Sequence, residues 1–182
     1  MIRLHFHTSA NRRRILTPRG DQSCATVARA RELLMSQHIA LYDTYPALRA
    51  VPRVSLCVLP SPVRRVTVDG TEIWIKLDGL NAEFCGGNKA RSLEFLLAGV
   101  NPGDTIVTAG GEGSTHVLAT AVHARRLGAR VIGVRWRHEM NPAARRVAEL
   151  ITRECVVSRV YGSATVALVR AQLTRLTQRC SY

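Results

Sequence analysis

From residue 72 onward the chain alternates short two-residue periodicities with longer helical ones. EIWIKLD (72–78) has an apolar residue at every second position, the signature of a strand. The segment beginning at Asn88 has a helical pattern to about Ala98, and DTIVTAG (104–110) reads as a second strand. THVLATAVHARRL (115–127) predicts a helix and ARVIGVRW (129–136) a strand. Asn141 and Pro142 then supply an N-cap and a first-turn proline for a helix reaching about Ile151. CVVSRV (155–160) predicts another strand, and Ser163 caps a last helix to about Thr177. Strands and helices in strict alternation call for crossover connections, hence an α/β fold with a parallel open sheet and helices on both faces. Upstream the pattern is weaker: residues 25–38 predict a helix, and the proline-punctuated stretch 46–66 predicts extended chain. The chain divides into 1–45, a poorly defined basic extension; 46–90; and 91–182, a small α/β unit. There is no internal repeat and no low-complexity segment.

Length and composition narrow the class. The 182 residues, 46% of them hydrophobic, suffice to bury a core. No apolar run approaches the roughly 20 residues that span a bilayer, which argues against a membrane protein. Cysteines 24, 57, 85, 155 and 180 form no C-x-x-C pair and follow no secretory signal, so free thiols in a reducing, cytoplasmic compartment are expected. Residues 1–20 carry five arginines and no acid, the composition of a transit peptide; an internal start at Met35 is the other reading.

The formal charge of +13 is uneven. Residues 1–50 contribute +5, residues 51–124 contribute −1 and residues 125–182 contribute +9. Such a balance admits a basic nucleic-acid-binding module. Against it, the arginines are scattered through helical patterns, few aromatics accompany them, and the centre of the chain is neutral. An arginine-for-lysine bias throughout the chain accounts for the charge.

That bias leaves only Lys76 and Lys89 against 24 arginines, so any chemistry needing a primary amine must use one of the two. Lys89 stands in GGNKARSLEF (86–95), directly behind two glycines and an asparagine. A lysine opening a helix is ordinarily solvated surface. Here the helical phase places Lys89 with Leu93, Leu96 and Leu97 at i, i+4, i+7 and i+8, on one apolar face. Arg91 and Glu94 fall on the opposite side, spaced to pair at i, i+3, and Phe95 falls off the stripe. An ammonium on an inward face must be paired, deprotonated or covalently used, which makes Lys89 a candidate nucleophile. Lys76 lies between Ile75 and Leu77 in an alternating run and points away from the apolar set, toward solvent.

TAGGEGSTHVLATA (108–121) carries a strand into glycines and out into a helix, where backbone N–H groups can meet an anion. Two nucleotide signatures fail. His116 stands where the third glycine of G-x-G-x-x-G belongs, and no G-K-[ST] follows. Glu112 would repel a phosphate, so the loop suits a small carboxylate better than a dinucleotide. Ser114, Thr115 and His116 line the first helical turn as candidate substrate contacts; a plain serine cap with a surface histidine is the alternative.

Taken together, the two stretches resemble the pyridoxal-phosphate enzymes of the 1-aminocyclopropane-1-carboxylate deaminase and D-cysteine desulfhydrase family. That pattern runs L-P-T-P, W-I-K-R-D-D, G-G-N-K-x-R-K-L-E and V-T-x-G-G-x-x-S-N-H. This chain has LPSP at 59–62, WIKLDG at 74–79, GGNKARSLE at 86–94 and VTAGGEGSTH at 107–116, in order and at matching spacing. The resemblance covers about Leu59 to Val134. It implies the tryptophan synthase beta-like fold, type II, in its N-terminal part only, with 46–90 a fragment of the large domain. It also implies pyridoxal 5'-phosphate as cofactor and a small amino acid as substrate. By the same resemblance Lys89 holds the cofactor covalently, Asn88 and Thr115 contact it, and Ser114 acts on the substrate. The loop N–H groups and His116 hold the substrate's carboxylate, and Ser114, Thr115 and His116 are the implied substrate contacts. Elimination from D-cysteine and ring-opening deamination of aminocyclopropane carboxylate are the implied reactions.

The chain departs from the pattern at several places. Thr115 replaces an asparagine that would contact the cofactor ring's oxygen, Leu77 and Gly79 replace an arginine and an aspartate, and Ser92 replaces a lysine. The family's second glycine-rich loop, which holds the cofactor phosphate, has no counterpart, because Gly128, Gly133 and Gly162 are isolated. A truncated enzyme, a catalytically silent relative, a homo-oligomer and a site completed by a second chain all remain open on the sequence.

Overall fold

A computed structural model describes residues 39–178. The expected helix at 25–38 and residues Cys24 and Cys180 lie outside them. The described chain opens with one turn of helix, α1 (Leu41–Thr44), and a 3-10 turn (Pro46–Ala50). β1 (Val63–Val68) and β2 (Thr71–Lys76) follow as an antiparallel hairpin. The stretch 46–66, expected to be extended throughout, is therefore only partly so. Its tail pairs with β2 because Asp69 and Gly70, at φ of 49° and 76°, make the two-residue turn that suits strand twist. Helix α2 (Asn88–Leu96) comes next, then β3 (Thr105–Gly111), α3 (Thr115–Arg126), β4 (Arg130–Trp136), α4 (Pro142–Glu154), β5 (Val157–Tyr161) and α5 (Ala164–Thr177).

β3, β4 and β5 pair in that order, all parallel, with Gly111 opposite Trp136 and Trp136 opposite Tyr161 at their C-terminal ends. One face presents Val131, Gly133 and Arg135 of β4 to α3 and α4. Gly133 is required there, since a Cβ would lie 2.9 Å from Cys155 Sγ, close beside Val117 and Ile151. α5 packs across β3 and β4 on the other face. A cleft of about 250 Å³ opens between α5 and that face, lined in part by Thr105, Arg130, Ile132 and Thr174. It lies across the sheet from α3.

The main core joins Leu93 and Leu97 to Ile106, Val117, Val131 and Ile151. Small residues on α3 (Ala119, Ala121, Ala124) let that helix approach its neighbours closely. Ser114 starts α3, its Oγ accepting from Val117 N at 3.4 Å. Gly128 ends it at φ +85°, with the Gly128 N–H donating to the Arg125 carbonyl. α5 is built the opposite way. It buries Ala167 against the sheet and leaves Val166, Val169, Leu173 and Leu176 outward, the last 69% exposed.

Two expectations about α2 are corrected. Leu93 and Leu97 are buried, but Leu96 is exposed, because the buried face is centred on Ala90, Leu93, Glu94 and Leu97 and Leu96 lies well to one side of it. Arg91 and Glu94 do not pair with each other. Glu94 is 3% exposed and faces inward. Its carboxylate takes Arg53 in a two-pronged pair (2.7 and 2.9 Å) and accepts from the N–H groups of Leu56 and Cys57 at 2.9 and 3.0 Å. The helix carries a buried acid because the strap 53–57 crosses it and needs an acceptor. Arg91 instead reaches Asp78 at 2.9 Å and Ser61 at 2.7 Å.

Candidate active site

The turn into α2 is set by close contacts. A Cβ on Gly86 would meet the Gly79 carbonyl oxygen at 2.8 Å and Asn81 Oδ1 at 2.9 Å, and Gly87 sits at φ +108°. Fully buried Asn81 grips Gly87 from both sides, accepting from its N–H at 2.8 Å and donating to its carbonyl at 3.3 Å. Asn88 then opens the helix in solvent, and Lys89 follows, half-buried. Lys76 has a different setting. It is exposed at the end of β2 and paired with Asp78, which also takes Arg91. Arg91 first and Lys76 second hold the Asp78 carboxyl well below the usual carboxylate range.

The glycine loop after β3 is pressed from several directions. A Cβ on Gly110 would lie 2.7 Å from Ser114 Oγ, one on Gly111 would strike the His138 ring at 2.5 Å, and one on Gly113 would lie 2.6 Å from the Ala144 carbonyl oxygen. The Glu112 N–H donates to Trp136 O at 2.9 Å, and the Glu112 carbonyl accepts from Arg135 at 3.1 Å. Beyond the loop, Ser114 is half-buried with its oxygen engaged as the helix cap, and Thr115 is exposed. His116 is half-buried.

The fold places Lys89 near enough to His116 for its charge to act on the imidazole. Burial pulls the His116 pKa down, and the charge of Lys89 lowers it further, so the imidazole is neutral near pH 7. α2 and α3 pack against each other, which is how motifs 27 positions apart come to stand on neighbouring elements. His123 is 1% exposed on α3, and its Nε2 lies 3.4 Å from the Cys85 carbonyl oxygen. Cys57 and Cys155 are buried thiols, both pushed up to about 11, mainly by burial. Among the described residues no cluster of histidine, cysteine, aspartate or glutamate is arranged to hold a metal ion, and no helix is long and apolar enough to cross a membrane.

Residue types alone did not reveal Arg53 and Glu94, Asn81, or Arg135. A signal existed for Arg135. The alternation of β4 puts it on the same face as Val131 and Gly133, a lone cation on an otherwise apolar strand face.

No family model matches the chain. It is 42% identical over 87 residues to the nocardicin C-9' epimerase of Nocardia uniformis subsp. tsuyamanensis, covering 45% of this chain and 26% of that protein. It is 43% identical over 82 residues to the bifunctional D-cysteine desulfhydrase/1-aminocyclopropane-1-carboxylate deaminase of Arabidopsis thaliana, covering 41% of this chain and 20% of that one. To the D-cysteine desulfhydrase of Salmonella paratyphi A it is 41% identical over 87 residues, 44% of this chain and 26% of the relative. The chain thus spans about a quarter or less of these relatives' length. A crystal structure of an ACC deaminase homologue superimposes on 79% of this chain and 45% of its own at a TM-score of 0.62 and 26% identity. The motifs, the parallel sheet and these likenesses agree: over this partial length the chain is similar to the pyridoxal-phosphate-dependent 1-aminocyclopropane-1-carboxylate deaminase and D-cysteine desulfhydrase enzymes of fold type II.

Proposed function

We propose that this chain captures pyridoxal phosphate on Lys89 and serves lyase or deaminase chemistry on a small amino acid, of the D-cysteine desulfhydrase or aminocyclopropane-carboxylate deaminase type. The observation that carries this reading is a half-buried Lys89 on the first turn of α2, with its charge acting on half-buried His116 beside the glycine loop. A half-buried primary amine on a helix's first turn, next to a loop of close-packed glycines, fits the aldehyde end of the cofactor and the carboxylate of a substrate. When bound, the cofactor supplies an electron sink for the substrate's α-carbon.

The chain's own residues then have separate tasks. Lys89 holds the cofactor and, once released, its amine can take or return a proton at the substrate's α-carbon. The first-turn N–H groups of α3, which helix geometry leaves without intrahelical partners, orient the carboxylate. His116, neutral, adds a ring N–H to that carboxylate without bringing a second positive charge beside Lys89. Ser114 keeps its O–H proton free to donate while its lone pair caps the helix. Thr115 and Asn88, both exposed at the starts of their helices, are the contacts proposed for the cofactor.

A catalytically silent relative is the second reading, and one observation favours it. Among the described residues Gly128 sits in a turn against Pro102, Gly133 lies mid-strand against Cys155, and Gly162 stands alone, so none builds a second phosphate cradle.

Capture is tested by mixing the purified chain with pyridoxal phosphate, reducing with borohydride and mapping the labelled peptide. Lys89 should carry the label in clear excess over Lys76, which is exposed and paired with Asp78. Equal labelling of the two would show that Lys89 has no special environment and would sink the proposal.

A further inference from the structure

We propose that Arg135 is a positioning residue for the glycine loop: a buried cation that fixes residues 110–114 and adds positive potential where the loop meets an anion. The inference rests on the reading that this loop receives a carboxylate, but its test does not. Arg135 is 4% exposed near the C-terminal end of β4. Its guanidinium bridges two elements. Nη1 donates to the Glu112 carbonyl at 3.1 Å and to the Ala148 carbonyl of α4 at 3.2 Å, and Nη2 donates to Thr152 Oγ1 at 3.1 Å. All three acceptors are neutral. Among the described residues no carboxylate lies within ion-pair distance; that of Glu112 acts on Arg135 only from farther away. Nε is buried with no partner at all.

Such an arrangement is a poor way to stabilise a fold. Removing a charge from water costs several kcal/mol, and neutral acceptors repay it incompletely. A methionine on that face, beside Val131 and Gly133, would pack without this cost. What the arginine supplies instead is a planar fork able to tie a loop carbonyl to a helix carbonyl at once. The Gly113 contact with Ala144 presses the same loop onto the same helix, so α4 acts as the anvil on which Arg135 holds the loop. Glu112 O is thereby drawn inward, and the Ser114 N–H closes the loop on the Gly111 carbonyl at 2.9 Å. An uncompensated cation behind a loop held in this way favours an anion there.

The test compares the whole chain with Arg135→Met and Arg135→Lys, using amide hydrogen exchange and thermal unfolding without any ligand. Arg135→Met should raise exchange at residues 111–114 by at least about tenfold, while the core of α3 (117–124) stays within about twofold. Its unfolding midpoint should hold or rise. Arg135→Lys keeps the charge without the fork and should leave the loop faster than in the parent. Three results would overturn the proposal: loop exchange unchanged in Arg135→Met, full recovery of protection with lysine, or a methionine variant that loses stability or fails to fold. Borohydride labelling at Lys89 on the same samples separates the two ideas. Lost label in the parent rejects the cofactor reading while leaving the loop result to stand or fall alone.

Discussion

At the scale of single residues, burial decides which groups titrate usefully. His123 is almost wholly buried, and burial pulls its pKa below the ordinary imidazole value, only partly offset by the Cys85 carbonyl. His116 is shifted in the same direction. The unfolded chain therefore binds protons that the folded chain refuses. Stability should be complete above the ordinary histidine value near 6.5 and should fall as pH drops through it toward the lower folded values. The slope is bounded by one proton per histidine, about 1.4 kcal/mol per pH unit. Urea unfolding of the parent and of His123→Gln between about pH 7.5 and 5.5 checks this. The variant should show a visibly shallower decline, and parallel curves would mean that His123 is not the group responsible.

At the scale of elements, the GGNK helix is legible in sequence in one respect and hidden in another. Its glycine turn, its start at Asn88 and the burial of Leu93 and Leu97 follow from local pattern. The inward turn of Glu94 does not, because the reason lies 41 residues earlier in Arg53. Helical spacing tells which residues share a face. It does not tell which face another strand of chain will cover. The buried pair of Arg53 and Glu94 should be a stability element, not a functional one. Glu94→Ala leaves Arg53 and two N–H groups without their acceptor and should cost about 3–5 kcal/mol in denaturant unfolding. Loss below about 1 kcal/mol would mean that water replaces the carboxylate at no strain. The β1–β2 hairpin teaches the reverse lesson. Asp69-Gly70 between alternating runs is a strong local turn signal, yet proline spacing upstream pointed to extended chain without a partner for β2.

At the scale of the whole molecule, the proposed reading gives the described residues part of a reaction centre: an amine, a loop suited to a carboxylate and a neutral imidazole. Catalysis by a pyridoxal cofactor depends on holding ring, ring nitrogen and substrate in one geometry, and such positioning is worth on the order of 7–11 kcal/mol. With capture at Lys89 alone, most of that advantage should be missing. Purified chain given pyridoxal phosphate should release pyruvate from D-cysteine, and α-ketobutyrate from aminocyclopropane carboxylate, at rates within about tenfold of Lys89→Ala. Robust Lys89-dependent turnover would refute this and would mean that a full site assembles. The outward apolar stripe of α5 and the exposed Trp74, Ile73 and Ile75 of the hairpin belong to the same picture, since faces of this kind are usually covered.

Periodicity and motif order by themselves determined the alternation of elements, the parallel sheet and the glycine loop, and they single out Lys89 over Lys76 as the proposed amine. These depend on short-range properties: side-chain period, capping chemistry and backbone freedom at glycine, each encoded within a few residues. Only the tertiary structure decided that the charge of Lys89 acts on His116, that Glu94 serves Arg53 and that Arg135 is buried among neutral acceptors beneath the loop. Those facts come from packing between segments far apart in the chain. Burial, and with it the cost or use of a charge, is a property of neighbours that no local pattern contains.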